Sequence, residues 1–174
     1  MPAKLLARKA IYKSPWVNLY VDRVRNPDGS VIEKYHALDF EKDGVAALVE
    51  NAKKEILLIR PYRYLTRSVA WEVPAGRREK GESVITAARR EVFEETGYQT
   101  TRAKRIYSYH PIIGISNLAA HVVFCRAGKN TGHFDRNEVR EFRWFSRNEV
   151  QRMIQRKLIR DGFALTTLLL YLGP

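Results

Sequence analysis

Residues 76–98 read GRREKGESVITAARREVFEETGY, and the rest of the chain is organised around them. Ser83 suits a helix start, Val84 to Thr96 carry good helix formers, and Gly97 stands where a left-handed residue ends a helix. On that helix Glu91, Glu94 and Glu95 fall at i, i+3 and i+4, so all three leave one face within the last turn and a half. Like charges at that spacing repel, and the negative end of the helix dipole lies beside them. Each such contact costs from a few tenths to about 1 kcal/mol. A divalent cation removes the conflict, and a hard ion such as Mg²⁺ takes carboxylate oxygens while keeping waters that a phosphate can displace. Taken alone, such a cluster reads first as a solvated face partnered by Arg89 and Arg90.

The wider spacing bears on that choice. Gly76, five residues, Glu82, seven residues, Arg90-Glu91, the apolar Val92, Glu94-Glu95 and Gly97 make a pattern whose seven fixed positions match by chance on the order of once in 10⁸ starts. It resembles the box of the Nudix hydrolases, with Tyr98 where the family usually has an aliphatic residue. The resemblance implies a loop, helix and loop that bind Mg²⁺ or Mn²⁺, two or more ions per site, and hydrolyse a nucleoside diphosphate linked to another group. It implies Glu91, Glu94 and Glu95 as metal ligands, joined by the carbonyl of Ala75, and Arg90 as a residue that orients a glutamate. Glu82 matches the early box glutamate, which either reaches the metals or braces the loop.

Composition bounds the reading. At 174 residues, 45% hydrophobic and 29% charged, the chain suits one soluble globule with a sizeable core. No apolar run approaches a membrane span, and the basic start MPAKLLARKAIYKSPW lacks the apolar core of a secretory signal. Cys125 is the only cysteine, which excludes an internal disulfide and fits a cytoplasmic location; it reads as a small core residue. The box basic residues balance its acids, so the net charge of +12 arises elsewhere. A field of that sign concentrates nucleotides and equally favours RNA, and composition does not choose between them.

Before the box, Val17 to Val24 alternates at period two, Asn26-Pro27-Asp28-Gly29 is a turn, and Val31 to Leu38 continues as a hairpin partner. An antiparallel N-terminal extension of this kind, over residues 1–43, resembles the ADP-ribose and nucleoside diphosphate sugar pyrophosphatase branch. There it commonly builds a homodimer and helps hold the base, which makes Trp16, Tyr20 and Tyr35 candidates for stacking.

Val45–Glu50 and Glu55–Arg60 are apolar strands joined by the polar turn 51–54. The second leads into Arg60-Pro61-Tyr62-Arg63-Tyr64, which is similar to the branch's Arg-Gln-Tyr-Arg segment with Pro61 replacing Gln. Arg60 and Arg63 are therefore candidate phosphate contacts, because a guanidinium holds two phosphate oxygens at once. Trp71-Glu72-Val73-Pro74-Ala75-Gly76 resembles the branch's lead into the box, and Glu72 is expected to meet base, ribose or Arg60, or to form a structural ion pair.

Beyond the box, Lys104–Tyr109 and Ala119–Cys125 read as strands flanking a loop with Pro111, Gly114 and Ser116-Asn117. Pro111 matches a substrate-side proline of the same branch, although Leu118 stands where a glutamate is frequent; His110 reads as a loop histidine or a substrate contact. Residues 128–136 read as a polar loop before a strand at 138–145, and Glu138, with Glu141 second, matches the loop acid that serves as general base or extra ligand. Ser146-Arg147-Asn148-Glu149 is a capping box opening a helix with Val150, Met153, Ile154 and Leu158 on one stripe, and Asp161 caps a last helix ended by Gly173.

The order of elements predicts an α/β/α sandwich around a mixed sheet in residues 44–174, with the box helix on one face. The expected activity is Mg²⁺-dependent cleavage of ADP-ribose or a related nucleoside diphosphate sugar to a nucleoside monophosphate and a sugar phosphate. GDP-mannose, a dinucleoside polyphosphate and a capped RNA end are the alternatives, and a regulator without activity is the rival of another class.

Overall fold

A computed structural model describes residues 2–173. Contacts divide the chain into two compact units, one holding the residues up to Asp43 together with His110–Ala119, the other holding Gly44–Tyr109 and the residues from Ala120 onward.

The first unit is an antiparallel sheet in the order β1 (Lys4–Tyr12), β2 (Asn18–Arg25), β3 (Val31–Asp39). The expected turn between β2 and β3 closes with Gly29 N donating to Asn26 O at 3.0 Å, and Gly29 has the positive φ of 89° that such a turn needs. Strand β1 has no clear alternation because nearly all of it is exposed; backbone pairing with β2 forms it, along with a bidentate Arg8–Asp22 pair at 2.8 and 2.7 Å. The loop His110–Ala119 joins this unit through Leu38 N to Ile115 O at 2.7 Å and Asn117 Nδ2 to Asp39 Oδ1 at 2.7 Å.

The second unit contains β4 (Gly44–Glu50), β5 (Ile56–Arg63), β6 (Ser68–Val69), β7 (Ala75–Arg77), α1 (Val84–Thr96), β8 (Tyr98–Tyr109), β9 (Ala120–Asn130), β10 (Val139–Phe145), α2 (Arg147–Gln155) and α3 (Gly162–Leu172). Its main sheet runs β10-β5-β4-β9-β8, with β4 and β9 parallel and the other pairs antiparallel, so the sheet is mixed. Strand β4 is buried along its whole length because both faces are covered. Val45, Ala47 and Val49 pack with Ala87, Ala88 and Val92 of α1, while Ala46 and Leu48 pack with Val150, Met153, Ala164 and Leu168 of α2 and α3. This is the expected α/β/α arrangement.

Several boundaries differ from the sequence reading. Strand β8 begins at Tyr98, directly after Gly97, and β9 continues through Asn130, because the two polar stretches satisfy each other's backbone groups by pairing. Strand β5 runs through Pro61 to Arg63; the proline is tolerated where the register of β10 is irregular between Val139 and Phe142. Leu158 lies beyond α2 and is 43% exposed, and Ile159 supplies the buried contact instead. Among the described residues, no helix is long and apolar enough to cross a membrane.

Candidate active site

Helix α1 starts and stops where its sequence dictates. Ser83 Oγ accepts from Thr86 N at 3.0 Å, and Gly97, at φ 72°, donates its N–H to Phe93 O at 2.8 Å. Tyr98 packs edge-on against Trp144 and Phe142 and accepts a hydrogen bond from Trp144 Nε1 at 3.0 Å. Burial of Ala88 and Val92 against the sheet sets the rotation of the helix and carries two of the three glutamates inward. Glu91 is 8% exposed and Glu95 5%, whereas the Glu94 side chain is 49% exposed. The three acids are therefore not equivalent.

Burial pushes the Glu91 carboxyl above the usual range, opposed by the charge of Arg90. Burial pushes Glu95 much further up, repulsion from Glu91 adds to it, and a hydrogen bond from Ala75 N at 3.0 Å opposes it. Glu138 lies close enough to push both carboxyls up, and Arg63 close enough to pull Glu95 down. The structure thus brings Glu91, Glu95 and Ala75 together, with the charges of Glu138 and Arg63 acting on the buried pair from farther out.

Arg90 ties the loop to the helix. Its Nε donates to Glu82 Oε1 at 3.1 Å, Nη1 to Glu91 Oε1 and to Glu94 Oε2, each at 2.8 Å, and Nη2 to Arg77 O at 2.8 Å. Glu82 also accepts from Glu79 N at 2.9 Å, so it braces the loop. Gly76 is pressed against Glu91: a Cβ there would lie 2.1 Å from Glu91 Oε1.

These donors fit a hard cation. Two carboxylates are buried against each other with their charged forms disfavoured, a third stands at the rim, and Gly76 leaves room beside Glu91 only because it lacks a side chain. Among the described residues, no three His, Cys, Asp or Glu side chains converge into a ready cage. Such a partial donor set is what Mg²⁺ uses, since it keeps waters and takes substrate phosphates for its remaining positions.

The remaining candidates are placed as follows. Glu141 is held by Arg60 at 2.7 Å and Arg143 at 2.8 Å, with Arg60 drawing its carboxyl below the usual range. Glu138 is exposed in the turn before β10. Glu72, 3% exposed, accepts from Arg63 Nε at 3.0 and 3.2 Å, so its ion pair is with Arg63 and not with Arg60. Arg60 lies over the Trp71 ring at 5.7 Å. Pro111 and His110 belong to the first unit, where His110 Nδ1 bonds Leu118 O at 2.9 Å. Trp16 is 68% exposed, Tyr20 lies under Arg8, and Tyr35 OH donates to Gly114 O. Sequence reasoning gave Asp161 only a capping role and Arg160 none. Both line a cavity of about 800 Å³ with Arg63 and Glu72, brought there by the turn between α2 and α3, for which the sequence carries no signal.

Comparison with known proteins adds to this geometry. A family model described as the NUDIX domain matches residues 41–162, and one described as the nucleoside diphosphate sugar hydrolase N-terminal domain matches residues 4–38. An ADP-ribose pyrophosphatase of Bacillus subtilis is 29% identical over 119 residues, which are 68% of this chain and 63% of that protein. A CMP-5'-(N-acetyl-N-hydroxy-3-aminopropyl)phosphonate hydrolase of Streptomyces rubellomurinus is 24% identical over 161 residues, 91% of this chain and 74% of that protein. A crystal structure of an ADP compounds hydrolase superposes with a TM-score of 0.87 at 15% identity, covering 98% of this chain and 92% of that one. At that identity the likeness concerns the fold.

Proposed function

The chain belongs to the Nudix family, and from that premise we propose that it is a divalent-cation-dependent hydrolase of ADP-ribose or a related nucleoside diphosphate sugar, forming a nucleoside monophosphate and a sugar phosphate. The observation that carries the reading is the pair Glu91 and Glu95, buried side by side with their charged forms disfavoured, beside Glu138 and Arg63. The match of residues 4–38 to the N-terminal domain of nucleoside diphosphate sugar hydrolases, and the activity named for the Bacillus subtilis relative, support the substrate class.

Glu91, Glu94 and Glu95, with the carbonyl of Ala75, would hold Mg²⁺ or Mn²⁺, two or more ions per site. When bound, such ions neutralise the diphosphate and lower the pKa of a bound water. The side chains do the rest. Arg90 fixes Glu91 and Glu94 through charge-assisted hydrogen bonds. Arg63 is oriented by Glu72 and retains N–H donors for phosphate oxygens, with Arg60 as a second phosphate contact. Glu138, or a box glutamate in its stead, takes the proton of the attacking water as the water oxygen bonds to one phosphorus and the bond from that phosphorus to the bridging oxygen breaks. The leaving phosphate departs with that oxygen.

The same reading assigns residues 1–43 to an extension that pairs two chains into a homodimer and 44–174 to the hydrolase domain. Sedimentation at micromolar concentration tests the dimer. Release of AMP from ADP-ribose, measured with Mg²⁺, with Mn²⁺ and with chelator, tests the activity against GDP-mannose, diadenosine polyphosphates and capped RNA. Cleavage of capped RNA alone would replace the nucleotide sugar reading.

A further inference from the structure

The cavity of about 800 Å³ lies between the end of β5, the loop that follows it, and the turn joining α2 to α3. Its size falls in the range of pockets that bury a small-molecule group. Tyr62, Tyr64 and Leu65 supply apolar lining, and Arg63, Glu72, Arg160 and Asp161 supply charged lining. Arg63, the candidate phosphate contact, is part of the lining, and its partner Glu72 lies three residues before Ala75 in the approach to the box. A substrate whose diphosphate meets Arg63 has one arm to place in the cavity.

The lining favours one kind of arm. Both oxygens of Glu72 are occupied by Arg63, so Glu72 shapes the wall without offering itself to a ligand. Asp161 differs. Its Oδ2 accepts from Ala164 N at 2.8 Å, which pins the carboxylate, and Oδ1 remains as an acceptor. Arg63 and Asp161 are near enough to attract each other. Two cations, Arg63 and Arg160, are matched by two carboxylates, Glu72 and Asp161, so the lining holds no surplus positive charge for a second phosphate. Neutral hydroxyls can donate to Asp161, and one carboxylate can accept from two adjacent hydroxyls at once. Thr66 and Ser68, whose hydroxyls lie 2.8 Å apart, add further polar partners, and a tyrosine ring suits the C–H face of a sugar.

We propose that this cavity binds the sugar arm of the substrate and that Asp161 selects for a pentose or hexose with adjacent free hydroxyls. The proposal deepens the nucleotide sugar reading and rests on it. Asp161 is a specificity residue here, apart from the acids that face the box.

The experiment compares wild type with Asp161→Asn, a variant that keeps the helix cap, since Asn caps as well as Asp, while losing the anionic acceptor. The probes are α,β-methylene-ADP-ribose, which is not cleaved, and α,β-methylene-ADP, which lacks the terminal ribose, titrated by calorimetry. Thermal denaturation checks the fold, and Thr66→Val gives an independent change in the same wall. Wild type is expected to bind the ribose-bearing compound more tightly. Asp161→Asn should weaken that compound about tenfold, the scale of one charged hydrogen bond, and the shorter one by about twofold or less. Equal weakening of both would place Asp161 against the shared nucleoside or in the fold, and it would overturn the proposal, as would unchanged affinity for both. If wild type cleaves ADP-ribose and Asp161→Asn alters neither affinity, the cavity assignment fails alone. If the ribose preference and its loss are seen but wild type cleaves no nucleotide sugar, the hydrolase reading fails alone.

Discussion

Gly76 and Glu91 are in contact so close that a Cβ at residue 76 would lie 2.1 Å from Glu91 Oε1. The glycine is needed at that point for space and not for a left-handed backbone, because its φ lies outside the positive range. The first residue of the box thus sets the position of an acid fifteen residues later.

Gly76→Ala is expected to push Glu91 from its place without unfolding the protein. A displacement of about 1 Å in such a site costs on the order of 10²-fold in rate. Steady-state kcat/KM beside a thermal melt checks this; a variant with full activity would show that Glu91 has freedom to move.

Glu95 makes stability depend on pH in a direction opposite to a salt-bridged acid. Its folded carboxyl titrates well above the unfolded value of about 4.3, so between those two values the folded state binds more protons. Metal-free protein should therefore lose stability as pH rises through that window. Glu95→Gln should flatten the slope and reduce activity at least 100-fold, roughly the loss seen when support for a metal ligand is removed. Melting temperatures from pH 5 to 8, with and without Mg²⁺, are the measurement, and Mg²⁺ should raise wild type more than the variant.

Arg63 and Glu72 are separable in stability and in activity. Arg63→Met leaves Glu72 buried without its partner, at a cost of about 1–3 kcal/mol, nearer the lower figure because Arg63 is half exposed. Adding Glu72→Leu should restore most of that stability and none of the activity. Urea denaturation and turnover on the single and double variants check both halves.

Cys125 should be inert. It is fully buried and its thiol is pushed up to about 12, so thiolate is scarce at neutral pH. Iodoacetamide at pH 8 is expected to label it only in denaturant, and rapid labelling of the folded protein would mean that β9 opens.

Much of the fold could be read from local signals. Ser83, Ser146 and Asp161 cap their helices, Gly97 and Gly173 end theirs, and the hydrophobic runs at 45–50 and 56–60 form adjacent strands, because each signal works within a few residues of its own backbone. Other features escaped. Residues 1–43 read as short strands, but without bounds for β1, and the first half of β8 went unread; both are made by pairing with distant partners while their side chains stay largely exposed, so they carry little periodicity.

The candidate site divides in the same way. The spacing of Gly76, Glu82, Arg90, Glu91, Glu94 and Glu95 along one helix and its approach singled out, from the chain alone, the candidate residues and the helix face they share. Only tertiary packing decided that Glu91 and Glu95 turn inward while Glu94 stays at the rim, that Glu141 is taken up by Arg60 and Arg143, and that Glu72 holds Arg63. Helical spacing is a property of one continuous backbone, whereas burial and ion-pair choice depend on which distant segments the sheet brings alongside.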